Sequence, residues 1–152
     1  MFDVEVKHHV NFKNYVAKNP VIDDRIVLNG NRLFFLDPLE SSSTQTYIEL
    51  ARFVLNNGVR DASKEVRRYI KQVQNFVLWH YNSGSKYNTP FWDYAKSLVF
   101  NDPEFDSILK HSQDSKLFEI MDQANNNSRS GYGQWTPYAF KLWYDGMVKK
   151  EK

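Results

Sequence analysis

A glutamate and a run of hydroxyl residues form the densest group of side chains that could do chemistry. Glu40 stands directly before Ser41-Ser42-Ser43-Thr44. The first amides of a helix have no intrahelical acceptor, and the helix dipole places partial positive charge on them. If a helix begins here, the amides of Ser42 and Ser43 could hold a phosphate or a halide, with the Glu40 carboxylate beside it. The alternative is that these serines only cap the helix.

An aromatic segment near the C-terminal end is the second candidate. Residues 132–138 have the sequence YGQWTPY, and Leu142-Trp143-Tyr144 follow soon after. Aromatic residues make up 16% of the chain, enough to supply both a core and a pocket. Such a segment could wall a pocket for a flat apolar substrate, or it could simply close the core.

Composition argues against several other kinds of site. The chain has no Cys, which excludes disulfides, thiolate metal sites and a cysteine nucleophile. His8 and His9 would point to opposite sides of a strand, and His80 and His111 lack a partner at helical ligand spacing. We therefore expect no metal site.

The charge and hydropathy patterns argue against nucleic acid and membrane partners. Lys and Arg total 20 against 18 for Asp and Glu, a net charge of +2 without a basic block for phosphates to follow. No apolar run approaches the roughly 18 residues of a membrane span, and the first residues lack a signal-peptide core. We therefore expect a cytoplasmic protein.

The elements that must position the candidate residues divide the chain near residue 40. Residues 1–40 predict strands and turns, and residues 41–152 predict helices, so the fold class is mainly α with a short β-containing N-terminal segment (α+β). The run Arg25-Ile26-Val27-Leu28 ends at Asn29-Gly30-Asn31. This glycine could form a hairpin turn, or it could lie in a turn beneath a ligand.

Two amphipathic helices are predicted after residue 41. The first has one apolar face and ends at Asn57-Gly58; Thr46-x-x-Glu49 fits a capping box, although Ser43 or Thr44 could cap instead. The second begins near Asp61 or Ser63 and breaks at residues 82–85. The first face comprises Tyr47, Leu50, Ala51, Val54 and Leu55; the second stripe comprises Val66, Tyr69, Ile70, Val73, Phe76, Val77, His80 and Tyr81, with Lys64, Arg67, Arg68, Lys71 and Gln74 facing water.

Shorter helices are predicted in the second half of the chain. Thr89-Pro90 and Thr136-Pro137 each place a capping residue before a proline at the first helical position. Residues 105–109 and 116–121 also have short helical patterns.

Three segments resemble, in order and approximate spacing, the flavin-dependent tryptophan halogenases. FLDPLESSS at residues 35–43 resembles their F-[IL]-E-P-L-E-[SA]-T-[GS] segment, with Asp37 in place of Glu. FVLWHY at 76–81 and NTPFW at 88–92 resemble their F-x-x-x-H-Y and D-T-P-F-W pair. FKLWYDG at 140–146 resembles the F-x-x-F-W segment that closes their substrate site. The resemblance covers about residues 29–147 and implies the C-terminal helical part of a halogenase-like fold. It implies that residues 1–40 form a strand and turn segment at the edge of the flavin domain and that residues 41–152 form a helical substrate-side domain.

The resemblance also implies an activity. In that family, reduced flavin and dioxygen oxidise a bound halide, and the oxidised halogen reaches an aromatic substrate. By position, Glu40 would be the active-site glutamate, and the amides of Ser42 and Ser43 would bind chloride or bromide. The residues placed against FAD would be Gly30, Asn31 and Pro38, and those placed against the substrate would be Tyr132, Tyr138, Leu142 and Trp143.

Some positions depart from the family pattern. Tyr138 stands where the family usually has Glu, Gly131 where it has Tyr, and Leu142 where it has Phe. A lost carboxylate removes a charged partner for an α-ammonium group, a contact worth about 1.5–3 kcal/mol. The departures therefore favour a different indole or aromatic substrate over free tryptophan.

The nucleotide-binding signature is missing from the sequence. The six glycines stand at 30, 58, 84, 131, 133 and 146, so no G-x-G-x-x-G can be formed. The resemblance is therefore to a C-terminal portion. It implies as partners a flavin-binding half, missing or on a separate chain, and a flavin reductase, and we expect this portion alone not to bind FAD. The alternatives are a fragment of a flavin-dependent aromatic monooxygenase and a non-catalytic helical binding protein.

Overall fold

The computed structural model describes residues 13–23, 25–36, 42–83, 87–99, 101–116, 119–120 and 131–148. Within these ranges the chain is mainly helical, with two small two-stranded sheets before the first helix. This confirms the predicted α+β class. No helix in the described ranges is long and apolar enough to cross a membrane.

The four strands are short and pair in a nested order. β1 (Tyr15–Val16) pairs antiparallel with β4 (Phe34–Phe35), and β2 (Val21–Ile22) pairs antiparallel with β3 (Ile26–Val27). β3 pairs antiparallel with the preceding strand, β2, and β4 pairs with β1. The glycine segment at 29–31 therefore does not form a hairpin between β3 and β4. It forms a 3-10 turn, Gly30–Arg32, capped by the Asn29 side chain, which accepts a hydrogen bond from the Gly30 amide at 2.7 Å.

The first helix, α1 (Ser42–Ser83), is interrupted at Gly58, where φ is 73° and ψ is 165°. An L-residue with a side chain rarely adopts this backbone, so Asn57-Gly58 separates two arms as predicted. Because α1 begins at Ser42, Thr46 lies inside the helix and does not cap it. Its side chain is fully buried, and its hydroxyl lies 3.4 Å from the Tyr69 hydroxyl.

The arm after Gly58 matches its predicted amphipathic pattern closely. Its stripe from Val66 to Val77 is buried, while His80 and Tyr81 are half-buried. The predicted water-facing residues from Lys64 to Gln74 are exposed. In the arm before Gly58, Leu50 is buried, but Tyr47 and Leu55 are exposed. A 3.6-residue period thus predicts the helix correctly, while burial of its stripe depends on what packs against it.

Three shorter helices complete the described fold: α2 (Pro90–Ser97), α3 (Pro103–Asp114) and α4 (Pro137–Trp143), which continues as a π-helical turn over Tyr144–Val148. Each begins with a proline after a capping position, as predicted for Thr89-Pro90 and Thr136-Pro137. In the 116–121 segment residues 116, 119 and 120 are described, and 119 and 120 are helical.

One buried cluster joins the β-containing segment to the helices. Leu33 and Phe34 belong to the same core as Val73 and Phe76 of α1, Phe105 of α3 and other buried residues. The short strands therefore pack directly on the helical part of the chain. The predicted division of the chain at residue 40 stays a prediction, and this core includes residues from both sides of it.

Candidate functional site

A buried triangle of polar side chains joins α1, the start of α3 and the segment before α4. We call Asn75, Asp102 and Tyr132 the polar triangle. Tyr132 donates its hydroxyl hydrogen to Asp102 Oδ2 at 2.8 Å, and Asn75 Nδ2 donates to the same oxygen at 3.0 Å and to the Tyr132 hydroxyl at 2.7 Å. Asp102 Oδ1 accepts from the Glu104 amide at 3.0 Å, which caps α3. All three side chains are buried.

Burial, hydrogen bonds and nearby charges together keep Asp102 ionised and Tyr132 protonated. Burial alone would raise the pKa of Asp102, but the Tyr132 hydrogen bond, the Phe105 and Glu104 amides and the Lys71 charge outweigh it, so the pKa lies below its ordinary value. Burial, the main cause, raises the pKa of Tyr132 well above its ordinary value, and the neighbouring Asp102 charge adds to that rise. The triangle therefore has a fixed pattern of donors and acceptors.

A tight turn at residues 131–135 is tied to α1 beside the triangle. Tyr132 and Trp135 exchange backbone hydrogen bonds, and Gly133 adopts a φ of 62° between them. The Gly133 amide donates to Gln72 Oε1 at 2.9 Å, and Tyr69 donates to Gln134 Oε1 at 3.1 Å. Burial raises the pKa of Tyr69, which keeps its hydroxyl as a donor.

The other side of this turn carries stacked rings. Trp135 stacks on Phe76 with the ring centres 4.0 Å apart, and Phe140 of α4 stacks on Trp79 at 5.4 Å. The ring of Trp143 lies 3.7 Å from that of His80, centre to centre. His80 is fixed by its Nδ1, which donates to the Phe76 carbonyl at 2.8 Å.

These rings border an open groove of about 440 Å³, which we call the aromatic groove. Aromatic rings from α1, the 131–135 turn and α4 form most of its walls. The Trp143 indole nitrogen is buried and has no hydrogen-bond acceptor within the described part of the chain. The residues that line the groove are Phe76, His80, Trp135, Ala139, Leu142, Trp143 and Gly146.

A second opening of about 380 Å³ lies between α1 and α2, and we call it the α1–α2 cavity. Its walls include Leu78 and Tyr81 from α1 and Phe91 and Ala95 from α2. Asn75 of the polar triangle also lines it. The two openings thus border the same arm of α1.

The groove brings together residues from two of the predicted motifs. Leu142 and Trp143, predicted to contact substrate, line it together with Phe76 and His80 of the FVLWHY segment. Tyr138 is half-buried and does not line it. Tyr132 is fully buried in the polar triangle, so its structural role is in the core, and its contact with substrate stays a prediction.

The other predicted site residues that the structure describes do not belong to the groove lining. Ser42 and Ser43 occupy the first positions of α1, which confirms a helix start there; anion binding by their amides stays a prediction. Pro38 and Glu40 lie outside the described residues. Gly30 is buried with a φ of 54°, and Asn31 is exposed. A Cβ built on Gly30 would lie 2.5 Å from the Tyr47 hydroxyl, so the close approach at this glycine is made by a side chain of the protein itself.

Sequence reasoning missed the polar triangle. The available signals were Asp102-Pro103, a third capping residue before proline, and Asn75 between the apolar positions Val73 and Phe76. Neither signal indicates that the two side chains meet, because their contact depends on long-range packing. Among the described residues, no group of three His, Asp or Glu side chains gathers as a metal site would require.

No family model, curated protein or solved structure matches this chain.

Proposed function

We propose that this chain is the substrate-side portion of a flavin-dependent halogenase-like protein that, when complete, halogenates an aromatic or indole substrate. The observation that supports this most is the aromatic groove. Phe76 and His80 come from one halogenase-like segment, Leu142 and Trp143 come from another, and all four line the same opening. The segments are about 60 residues apart in sequence, so the folding of the chain is what brings them together.

The groove suits a flat ring by its shape and its chemistry. Ring walls attract aromatic ligands through offset or edge contacts, worth about 0.5–1.5 kcal/mol beyond the apolar area buried. The His80 ring is held against Trp143 and by the Phe76 carbonyl, so part of the wall is already ordered before a ligand arrives. In this proposal the chain's own residues bind and orient the substrate ring.

The proposal does not place flavin on this portion of the protein alone. Gly30, the glycine predicted to lie against FAD, is approached by the Tyr47 hydroxyl, and the sequence lacks the glycine-rich phosphate loop. The proposal therefore assigns flavin binding to a partner half or chain, with a reductase that supplies reduced flavin. In the complete enzyme, flavin, dioxygen and halide would supply the oxidised halogen; Glu40 and the Ser42 and Ser43 amides are proposed to act at the substrate and halide ends.

The second candidate is a helical binding protein without catalysis. The observation that favours it is the single core that joins the strands to the helices, because a chain with its own core can hold a ring without a partner half. Both candidates predict ligand binding in the aromatic groove, and only the first predicts turnover.

An activity assay with a supplied flavin-binding half separates the candidates. The full chain is fused to the flavin-binding half of a flavin-dependent halogenase and given reduced FAD, dioxygen, bromide and indole. We expect bromide-dependent formation of bromoindole by mass spectrometry. Glu40→Gln should lower turnover by roughly 100-fold or more, the range for loss of a general acid or base.

Matched tryptophan variants test the role of the groove in this assay. Trp143→Leu should raise the KM for indole by roughly fivefold, because one ring wall is lost. Trp92→Leu is the control, since this half-buried indole stacks on Tyr81 and does not line the groove. Equal turnover of wild type and Glu40→Gln would remove Glu40 from the mechanism. A hydroxylated product without halide dependence would favour the monooxygenase, and indole binding without product would favour the binding protein.

A further inference from the structure

The α1–α2 cavity has the size and surface of a small-molecule site. Its volume of about 380 Å³ lies within the usual range for such sites. Apolar and aromatic walls come from both helices, from Leu98 just after α2 and from Leu36, while amide side chains also line the cavity. The apolar and aromatic side chains include Leu36, Leu78, Tyr81, Phe91, Ala95 and Leu98, and the amides are Asn14, Gln74 and Asn75. Among the described residues of its lining there is no Lys, Arg, Asp, Glu or His, so the cavity favours a neutral ligand.

One polar group on this wall has an unused hydrogen-bond acceptor. Asn75 lines the cavity and is only 7% exposed. Its amide nitrogen donates one hydrogen bond to Asp102 Oδ2 and one to the Tyr132 hydroxyl. Its Oδ1 accepts no hydrogen bond from the described residues. Because Asn75 lines the cavity, this oxygen is the candidate acceptor for a ligand bound there.

The polar triangle fixes which end of the Asn75 amide is available. An ionised carboxylate only accepts hydrogen bonds, so the amide nitrogen must face Asp102. The oxygen is then turned away from Asp102, and reversing the amide would place two acceptors together. The triangle therefore holds this one acceptor in a preset orientation on a residue that lines the cavity.

We propose that the α1–α2 cavity binds a small, neutral, mostly apolar ring compound that donates one N–H or O–H group to Asn75 Oδ1. Apolar walls supply the burial of the ring, and Asn75 Oδ1, which the polar triangle holds in place, supplies its orientation. A ring of the same outline without a donor would leave the buried oxygen unpaired, which costs binding free energy. This site is separate from the aromatic groove and does not depend on the proposed function.

Methyl NMR of the full chain measures ligand binding at the two openings separately, through chemical-shift changes of the methyl groups that line each one. Leu78, Ala95 and Leu98 report on the cavity, and Ala139 and Leu142 report on the aromatic groove. The probes are indole and benzothiophene, which have similar outlines but differ in the N–H donor. We expect indole to shift the cavity methyls with an affinity about fivefold higher than that of benzothiophene. Absence of shifts at the cavity methyls, or equal affinities there, would overturn the proposal.

A filling substitution with a matched control locates the binding. Leu78→Trp places a bulky ring in the cavity, and Leu142→Trp makes the same change at the aromatic groove. Circular dichroism first checks that both variants are folded. Leu78→Trp should then weaken indole binding, measured at the Ala95 and Leu98 methyls, at least tenfold. Leu142→Trp should leave that binding unchanged. Unchanged binding at Ala95 and Leu98 in folded Leu78→Trp would contradict the cavity site. Shifts confined to Ala139 and Leu142 would also overturn it while leaving the halogenase proposal intact.

Discussion

The two sides of the 131–135 turn have opposite characters. On one side, Tyr132 belongs to the polar triangle. Its hydroxyl donates one hydrogen bond and accepts another, and the residue has no surface exposed to solvent. On the other side, Trp135 forms part of the aromatic groove, where Leu142 is 47% exposed. Internally paired polar groups stabilise a fold, whereas the exposed Leu142 and the half-buried His80 and Trp143 leave apolar area for a ligand. The polar triangle therefore holds the turn in place, and the aromatic groove is the surface that the turn offers to a ligand.

The largest expected effect is on stability, from Asp102→Ala. This change removes the cap of α3, worth about 1 kcal/mol, and leaves the Tyr132 hydroxyl and the Asn75 amide without their shared acceptor. With roughly 1–3 kcal/mol for the unpaired groups, we expect a loss of about 3 kcal/mol in the free energy of unfolding.

Urea unfolding followed by circular dichroism measures this loss. Asp106→Ala is the control, because Asp106 is an exposed acid in the first turn of the same helix. Equal, small losses of unfolding free energy in the two variants would show that the polar triangle contributes little to stability. The two sides of the turn would then not differ as described.

A smaller effect is expected from pH. Because the pKa of Asp102 is lower in the folded chain than its ordinary value of 3.8, its contribution to stability is fully present above that value. The contribution is lost as pH falls through the folded pKa, when Asp102 takes up a proton. Urea midpoints between pH 6 and pH 2 should fall less steeply for Asp102→Asn than for wild type. Identical slopes would mean that the folded chain does not stabilise the ionised form of Asp102.

The same contrast explains how far the sequence predicts the structure. Apolar periodicity and capping residues act locally, so they predicted the Gly58 break, the buried stripe of the second arm and the starts of α2 and α4. The polar triangle joins residues 27 to 57 positions apart, and no local pattern indicates such pairing. At the glycine turn, the sequence left a hairpin or a ligand open, and the structure has a 3-10 turn against Tyr47 because β3 pairs with β2.

The candidate site divides in the same way. Leu142 and Trp143 were predicted from a resemblance and line the groove, but Ala139 and Trp135 join them there only through the folding of the turn onto α1. The order of helices in sequence does not determine which of their faces meet. The sequence therefore predicts the helices that carry the groove and the cavity, but it does not predict which of their residues line these openings.

The smallest expected effect on stability comes from the open side, with Leu142→Ala. Leu142 is 47% exposed, so its truncation should change the free energy of unfolding by less than about 1 kcal/mol, far below the 2–5 kcal/mol typical of a buried leucine. Its methyls form part of the groove wall, so indole binding measured at the Ala139 methyl should weaken by a few fold. A matched change, Leu55→Ala, removes another exposed leucine remote from the groove lining and should leave that binding unchanged. If Leu142→Ala instead unfolds the chain as readily as Asp102→Ala, the groove is part of the core and the two sides of the turn do not differ.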